Sequence, residues 1–247
     1  MEQPQSYNTK FKEIAALEYL TYIANDLLMA EQSFKYQKQD HFLYPKYLTS
    51  LQLLLINLKS LSDTNLKKFT NATNKHFRLF LRALRNHYSH KVPSFPDYQA
   101  KYKFEETTNH TWKIKGFTYR KEYIETILDD FERVLAKEYI QNNKNLSPKE
   151  CVSKAEFDVK SVKEIARSHL LEDFFFLTPL ILKNYLTIMK IIYAPKDFCM
   201  SPEEKKYEEF FTEFGKVPIS ERIKTVNHVI SEVEIYLEKF PDDIINL

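Results

Sequence analysis

The sequence predicts an all-α protein, an antiparallel helical bundle with one β-hairpin inserted and additional helices towards the C-terminus. Three observations support this fold class. Gly116 and Gly215 are the only glycines in 247 residues, so the positive-φ turns that many-stranded sheets need have almost no glycine available. Apolar residues recur at steps of three and four along much of the chain. A content of 43% hydrophobic and 15% aromatic residues is enough for a large core.

The scarcity of glycine also excludes several classes of enzyme. A dinucleotide-binding fingerprint needs three closely spaced glycines, and a P-loop or a G-x-S-x-G nucleophile elbow needs two. Because Gly116 and Gly215 lie far apart in the sequence, none of these motifs can be present.

Three helices are predicted before the first non-helical segment. The first, over about 9–34, carries one apolar stripe. The second, over about 45–61, is apolar nearly all round, so we expect it to be central. The third, over about 65–90, follows an N-cap predicted at 62–64 and ends before Pro93, which cannot continue a helix.

Residues 101–119 alternate polar and bulky side chains, which predicts the β-hairpin. A helix over about 120–140 follows, and the asparagine-rich stretch 141–149 is predicted to be a linker. We therefore place one helical domain at 9–140 and a second helical region, of unassigned role, at 150–247. The helices predicted in the second region span about 150–168, 170–193, 202–214 and 219–240.

Charge is unevenly distributed along the chain, although the formal net charge is only +2. Between Lys59 and Lys103 there are ten basic residues and two acidic ones, whereas the remainder of the chain is net acidic. A local basic block predicts a binding site for an anion, and a nucleic-acid backbone is the usual such partner.

The third predicted helix ends in the string L-R-N-H-Y-S-H over residues 84–90. On a helical wheel, Arg78, Arg82 and Arg85 form one basic stripe. Arg85 and His90 are separated by about 140° around the helix and by about 7.5 Å along it, so one straight helix cannot aim both at one atom. Two such helices that meet at a two-fold axis can build a joint cleft, and we therefore expect a homodimer.

The spacing Arg85-Asn86-x-x-x-His90 resembles the R-polar-x-x-x-H signature of the HEPN superfamily. The longer string over residues 84–90 is similar to the HEPN motifs of type VI-B CRISPR RNA-guided ribonucleases. The order of elements over about 9–140 looks like that of small bacterial HEPN proteins, in which two long helices precede the motif helix. The resemblance implies a metal-independent endoribonuclease that cleaves single-stranded RNA, in a toxin–antitoxin or phage-defence setting.

The resemblance also implies the roles of individual residues. His90 would act as general acid or base, Arg85 would contact the phosphate, and Asn86 would orient either group or the phosphate. Arg78, Arg82, His87 and Lys91 are predicted to bind RNA; these positions surround the catalytic residues on the third helix or directly follow it.

Three alternatives to this interpretation stay open. A helical DNA-binding regulator would need a recognition helix with base-reading residues, and the sequence shows no convincing one. A second register, Arg82-x-x-x-x-His87, fits the spacing, but Ala83 stands where the family prefers a polar residue. The chain could also be a non-catalytic HEPN module that binds RNA or a protein partner, such as a nucleotidyltransferase antitoxin or a regulator. The sequence predicts no cofactor and no metal, because His87 and His90 have no carboxylate within one helical turn.

Cys151 and Cys199 form neither a C-x-x-C pattern nor a disulfide framework, so we expect a reduced, cytoplasmic protein. Residues 1–10 lack the apolar stretch of a signal peptide. The most apolar region, 174–193, is interrupted by lysines and its uninterrupted part is shorter than the roughly 20 residues that span a bilayer. We therefore predict no membrane partner.

Overall fold

The computed structural model describes residues 4–33, 43–64, 75–90, 101–105, 111–115, 118–168, 170–171, 174–213 and 215–240. The helices are α1 (Gln5–Ser33), α2 (Leu43–Thr64), α3 (Lys75–His90), α4 (Lys121–Asn142), α5 (Pro148–Ser168), α6 (Leu177–Ile192), α7 (Pro202–Glu213) and α8 (Ile219–Leu237). The strands are β1 (Lys101–Glu105), β2 (Thr111–Lys115), β3 (Thr118–Arg120), β4 (Leu170–Leu171) and β5 (Phe174–Phe176). The predicted all-α class with a hairpin insertion is confirmed.

The hairpin is present but shorter than the predicted 101–119. β1 and β2 pair antiparallel, with Phe104 opposite Trp112. β3, which lies at the end of the predicted hairpin, pairs instead with β5, and β5 also pairs with β4. The sequence does not predict this small three-stranded sheet, because strands of two or three residues are too short for alternation to show. For the same reason, the helix predicted over 170–193 is wrong at its start and begins only at Leu177.

The other helix ends that were predicted and are described lie within about four residues of the structure, but one predicted cap is wrong. The predicted N-cap at 62–64 is wrong, since these residues belong to the last turn of α2. The predicted start of the third helix, near 65, lies outside the described residues. α5 and α7 each begin with a capping box, in which a serine and a glutamate three positions later bond to each other's backbone amide: Ser147 with Glu150, and Ser201 with Glu204.

One hydrophobic core joins the predicted 9–140 domain to the C-terminal helices. In that core Tyr47 of α2 lies 2.9 Å from the Thr178 hydroxyl of α6, which donates to Glu31 of α1 at 3.0 Å. Phe80 of α3 meets Phe175 of β5 edge to face, with ring centroids 5.5 Å apart. The predicted linker at 141–149 contains the loop between α4 and α5, and the division into regions 9–140 and 150–247 stays a prediction.

α6 is the helix most completely enclosed by the core. Its 16 residues are buried on nearly every side, and they pack against α1, α2 and α8. A helix buried all round must be apolar all round, which explains why the sequence has its most apolar region here. None of the described helices combines the length and the apolar character that crossing a bilayer would require.

Candidate functional site

A cleft of about 450 Å³ lies between α3 and α4, a volume typical of small-molecule sites. The two helices run antiparallel, since Arg82 contacts Glu138 late in α4 whereas His87 reaches Tyr123 near its start. The lining residues recur at steps of three and four on α4, as expected for one face of a helix. The cleft is lined by Ala83, Arg85, Asn86 and His87 of α3 and by Ile127, Asp130, Phe131, Val134 and Glu138 of α4.

Arg85 is half-buried on the α3 side of this cleft. Its Nη1 donates to the Asn86 Oδ1 at 3.2 Å, and among the described residues no carboxylate pairs with it. Its Nε is buried and has no hydrogen-bond partner in the described part of the chain. A buried guanidinium donor without an acceptor costs free energy, so the site favours an incoming acceptor. A phosphate suits the planar fork of donors that arginine presents.

Arg82, one turn earlier on α3, has a different environment. Its Nη2 donates to Glu138, and its guanidinium lies over the Phe131 ring, 5.7 Å from the centroid. The arginine of the second register is thus already paired with a carboxylate, whereas Arg85 is not. This difference supports the register that starts at Arg85. A role for Arg82 in binding RNA stays a prediction and requires exchange of the Glu138 contact for a phosphate.

His87 lines the cleft and also packs against neighbouring rings. Its Nε2 lies 3.0 Å from the Tyr123 hydroxyl, and its ring meets Tyr123 and Tyr88 edge to face at 5.5 and 5.4 Å. Tyr123 in turn stacks on the buried Tyr119 with centroids 5.5 Å apart. His87 therefore packs against aromatic rings and also lines the cleft.

Two buried tyrosines, Tyr88 of α3 and Tyr47 of α2, are uncharged. Burial raises the pKa of Tyr88 well above its ordinary value, and burial does the same for the pKa of Tyr47 of α2. Both phenols therefore stay protonated at physiological pH. Because these phenols are uncharged, they pack against the core without competing with Arg85 for an anion.

A charged cluster fixes the start of α3 against α5. Asp158 of α5 is only 2% exposed; it accepts hydrogen bonds from Lys75 Nζ and from the Tyr139 hydroxyl, each at 2.6 Å. His76 Nε2 lies 3.7 Å away. Burial alone would raise the pKa of the Asp158 carboxyl, but the bonds from Lys75 and Tyr139 outweigh it and hold that pKa below its usual value. The C-terminal region therefore helps to orient the motif helix.

The structure brings together three of the predicted site residues, Arg85, Asn86 and His87. His90 is the last residue of α3, but its side chain lies outside the described residues, as does all of Lys91. Arg78 is half-buried two turns before Arg85. Catalysis by His90 and RNA binding by Arg78 and Lys91 stay predictions.

Sequence reasoning missed the α4 side of the site. Asp130, Phe131, Val134 and Glu138 line the cleft, yet no motif marks them. Their spacing shows that they share one helical face, but which helix covers that face depends on tertiary packing. Asp158 was missed for the same reason, since its partners lie on α3 and α4.

The described residues contain no group of three or more His, Cys, Asp or Glu side chains arranged to hold a metal ion. Comparisons of the chain with protein-family models, with curated proteins and with solved structures found no match. The resemblance to HEPN proteins accordingly rests on residues 84–90 and on the order of the elements around them.

Proposed function

We propose that this chain is a metal-independent endoribonuclease that cleaves single-stranded RNA, with Arg85, Asn86 and His90 as its catalytic residues. The observation that carries the proposal is the state of Arg85. It lines a ligand-sized cleft, no carboxylate of the described residues pairs with it, and its buried Nε has no acceptor. An arginine held in this way suits a phosphodiester better than a structural ion pair.

The reaction uses the nucleophile that RNA itself carries. The 2′-oxygen attacks the adjacent phosphorus and the bond from phosphorus to the 5′-oxygen breaks, which leaves a 2′,3′-cyclic phosphate and a 5′-hydroxyl. A base must accept the 2′-hydroxyl proton and an acid must donate one to the leaving oxygen. His90 performs proton transfer, Arg85 stabilises the charge on the non-bridging oxygens, and Asn86 orients the Arg85 guanidinium through its Oδ1.

Two copies of the chain are needed to complete this site. Because Arg85 and His90 point about 140° apart on one helix, a two-fold axis beside α3 would bring His90 of one copy near Arg85 of the other. Arg78 and Lys91 extend the anion-binding surface along the same helix and beyond it. The proposed partners are RNA, a second copy and an antitoxin or other regulator.

The test is cleavage of end-labelled single-stranded RNA by the purified chain in EDTA. We expect RNA to be cut to products with 2′,3′-cyclic phosphate ends. A DNA of the same sequence and a fully 2′-O-methylated RNA should stay intact, because both lack the nucleophile. An Arg85→Ala preparation made in parallel controls for contaminating ribonuclease.

Cleavage that disappears in EDTA would contradict the metal-independent mechanism, and cleavage of the DNA would contradict attack by the 2′-hydroxyl. RNA binding without cleavage would instead identify the non-catalytic HEPN module. Sedimentation of the chain over a range of concentrations tests the dimer, and a monomer that cleaves at full rate would contradict the composite site.

A further inference from the structure

Arg82 and Arg85 are three positions apart on α3, so their side chains leave neighbouring points of one helix surface, with Cβ atoms about 5–6 Å apart. Both side chains are half-buried. Arg85 lines the α3–α4 cleft without a carboxylate partner among the described residues, whereas Arg82 donates to Glu138, which lines the same cleft from α4. One arginine at the cleft can therefore receive an anion from outside, and the anion of the other is supplied by the protein.

Arg82 makes two contacts of different kinds. The face of its guanidinium lies over the Phe131 ring, with Cζ 5.7 Å from the ring centroid, while its Nη2 donates to Glu138. Phe131 is only 2% exposed, so its ring is fixed by the core. The attraction between a cation and an aromatic face does not depend on Glu138. Arg82 therefore stays oriented towards the cleft when another acceptor takes the place of the Glu138 carboxylate.

Glu138 offers Arg82 the same kind of acceptor that a phosphodiester offers. An arginine binds the oxygens of a carboxylate and the non-bridging oxygens of a phosphate with the same planar fork of donors. The side chains of Arg82 and Glu138 are 27% and 31% exposed, and an ion pair with this much access to water is weak. A phosphate can therefore displace the carboxylate, and Glu138 can then turn into solvent.

We infer that Arg82 is a second phosphate subsite of this cleft, occupied by Glu138 in the free chain and taken over, when RNA binds, by the phosphodiester next to the one at Arg85. The inference rests on the proposed function, because it assigns a neighbouring phosphate of the same RNA strand. Glu138 then competes with RNA for Arg82. The ligand that fits both arginines is a strand with consecutive phosphates rather than a single nucleotide.

Binding of a fully 2′-O-methylated single-stranded RNA tests the subsite without cleavage, because this RNA lacks the nucleophile. Fluorescence anisotropy with the full chain measures the affinity. We expect Glu138→Gln to bind about fivefold more tightly, because the competing charge is lost; fivefold corresponds to the upper end of what a water-accessible ion pair contributes.

Glu125→Gln is the matched control for Glu138→Gln. Glu125 also belongs to α4 and its side chain is 29% exposed, but it pairs with Arg167 of α5 and does not line the α3–α4 cleft. The two substitutions change the net charge of the chain by the same amount. Because charges outside the site are screened by salt, Glu125→Gln should change the affinity by no more than about twofold.

Arg82→Gln tests whether Glu138 acts through Arg82. This variant loses the charge but keeps part of the stem that packs on Phe131. Loss of one phosphate contact should lower the slope of log affinity against log salt by about 0.7, the value per phosphate for a single strand. In the Arg82→Gln chain, Glu138→Gln should change the affinity no more than Glu125→Gln does, as expected for two residues that act as a pair. Thermal melting verifies that each variant is folded.

The inference is overturned if Glu138→Gln binds no more tightly than Glu125→Gln, or if its gain persists in the Arg82→Gln chain. An unchanged salt slope for folded Arg82→Gln would also overturn it, as would no binding of the methylated RNA. The proposed function fails differently: unmodified RNA would stay intact in EDTA. The Glu138→Gln gain without cleavage would keep the subsite and reject the nuclease, and cleavage without that gain would do the reverse.

Discussion

The α3–α4 cleft and the α1–α8 interface each contain a half-buried arginine, and the two are used differently. Arg222 of α8 pairs with Glu18 of α1, lies over the Phe11 ring at 4.7 Å, and donates from Nε to the Val217 carbonyl at 3.4 Å. Arg85 contacts Asn86 and leaves its buried Nε without a partner among the described residues. A satisfied guanidinium stabilises the fold, whereas an unsatisfied one in a cleft is available to a ligand.

A buried carboxylate of α7 is satisfied within the fold, as Arg222 is. Glu204 of α7 is 3% exposed; it accepts from Lys10 of α1 at 2.8 Å and from the Ser201 amide at 2.7 Å. Its buried charge is fully compensated within the fold. We therefore expect substitutions in the cleft to change RNA cleavage, and substitutions at the α1–α7–α8 contacts to change stability.

The largest expected effect is that of Arg85→Ala on cleavage. Loss of a donor that stabilises the developing phosphorane charge should reduce the rate by about 100-fold or more. The melting temperature should change little, because no ion pair with a described residue is lost. Cleavage rates and thermal melting of the purified variant check both expectations.

Arg222→Ala is the matched control for Arg85→Ala. It leaves Glu18 buried without its partner, so it should lower the free energy of unfolding by about 2–3 kcal/mol. Cleavage by the folded protein at low temperature should persist. The contrast between the two arginines would fail if Arg222→Ala removed activity without lowering stability, or if Arg85→Ala remained active.

The next effect distinguishes the two histidines of the motif. His90→Ala should reduce cleavage by about 100-fold, the usual contribution of a general acid or base. His87→Ala should cost less in rate but should lower the melting temperature, because it removes the contacts to Tyr123 and Tyr88. Rates and melting of both variants decide between the registers. An inactive but stable His87→Ala beside an active His90→Ala would assign the site to Arg82 and His87.

Asp158→Asn should act mainly on stability, with a secondary effect on the cleft through α3. Loss of charge-assisted bonds to Lys75 and Tyr139 should cost about 2 kcal/mol in urea unfolding at neutral pH. The pKa of the folded carboxyl lies below its unfolded value, so its contribution is complete above the unfolded pKa and is lost as pH falls through the folded pKa. The variant should therefore lose less stability than the unmodified chain on acidification. An equal acid loss would contradict this assignment.

The smallest expected effect on cleavage is that of Glu204→Gln. Burial acts to raise the pKa of Glu204, but bonds from Lys10 and the Ser201 amide lower it to about 2. Its stabilising contribution should thus be complete above pH 4.5 and decline towards pH 2. The substitution should cost about 2 kcal/mol at neutral pH, because bonds from Lys10 and the Ser201 amide lose their charged acceptor, and it should leave cleavage unchanged. A change in cleavage rate without a change in stability would break the separation between the two regions.

The helical class and the hairpin could be predicted because their signals are local. An apolar stripe at steps of three and four describes α1 and α4 without knowledge of their neighbours, and alternation over five residues describes β1 and β2. The pairing of β3 with β5, Thr118 opposite Phe176, could not be predicted because it joins segments far apart in the sequence and neither strand is long enough to show a pattern. Bringing together residues so distant in sequence costs chain entropy, so these contacts form only when the core folds.

Part of the candidate site could likewise be predicted from the sequence, and part depends on tertiary packing. The string over residues 84–90 led to Arg85 and Asn86, which line the cleft, and helical geometry alone indicates that Arg85 and His90 diverge. The packing of α3, α4 and α5 decides the rest. It pairs Arg82 with a carboxylate, closes the cleft with one face of α4, and places the buried Asp158 against the start of α3. Charge compensation and burial depend on distances between side chains on different elements, and a linear pattern carries no information about those distances.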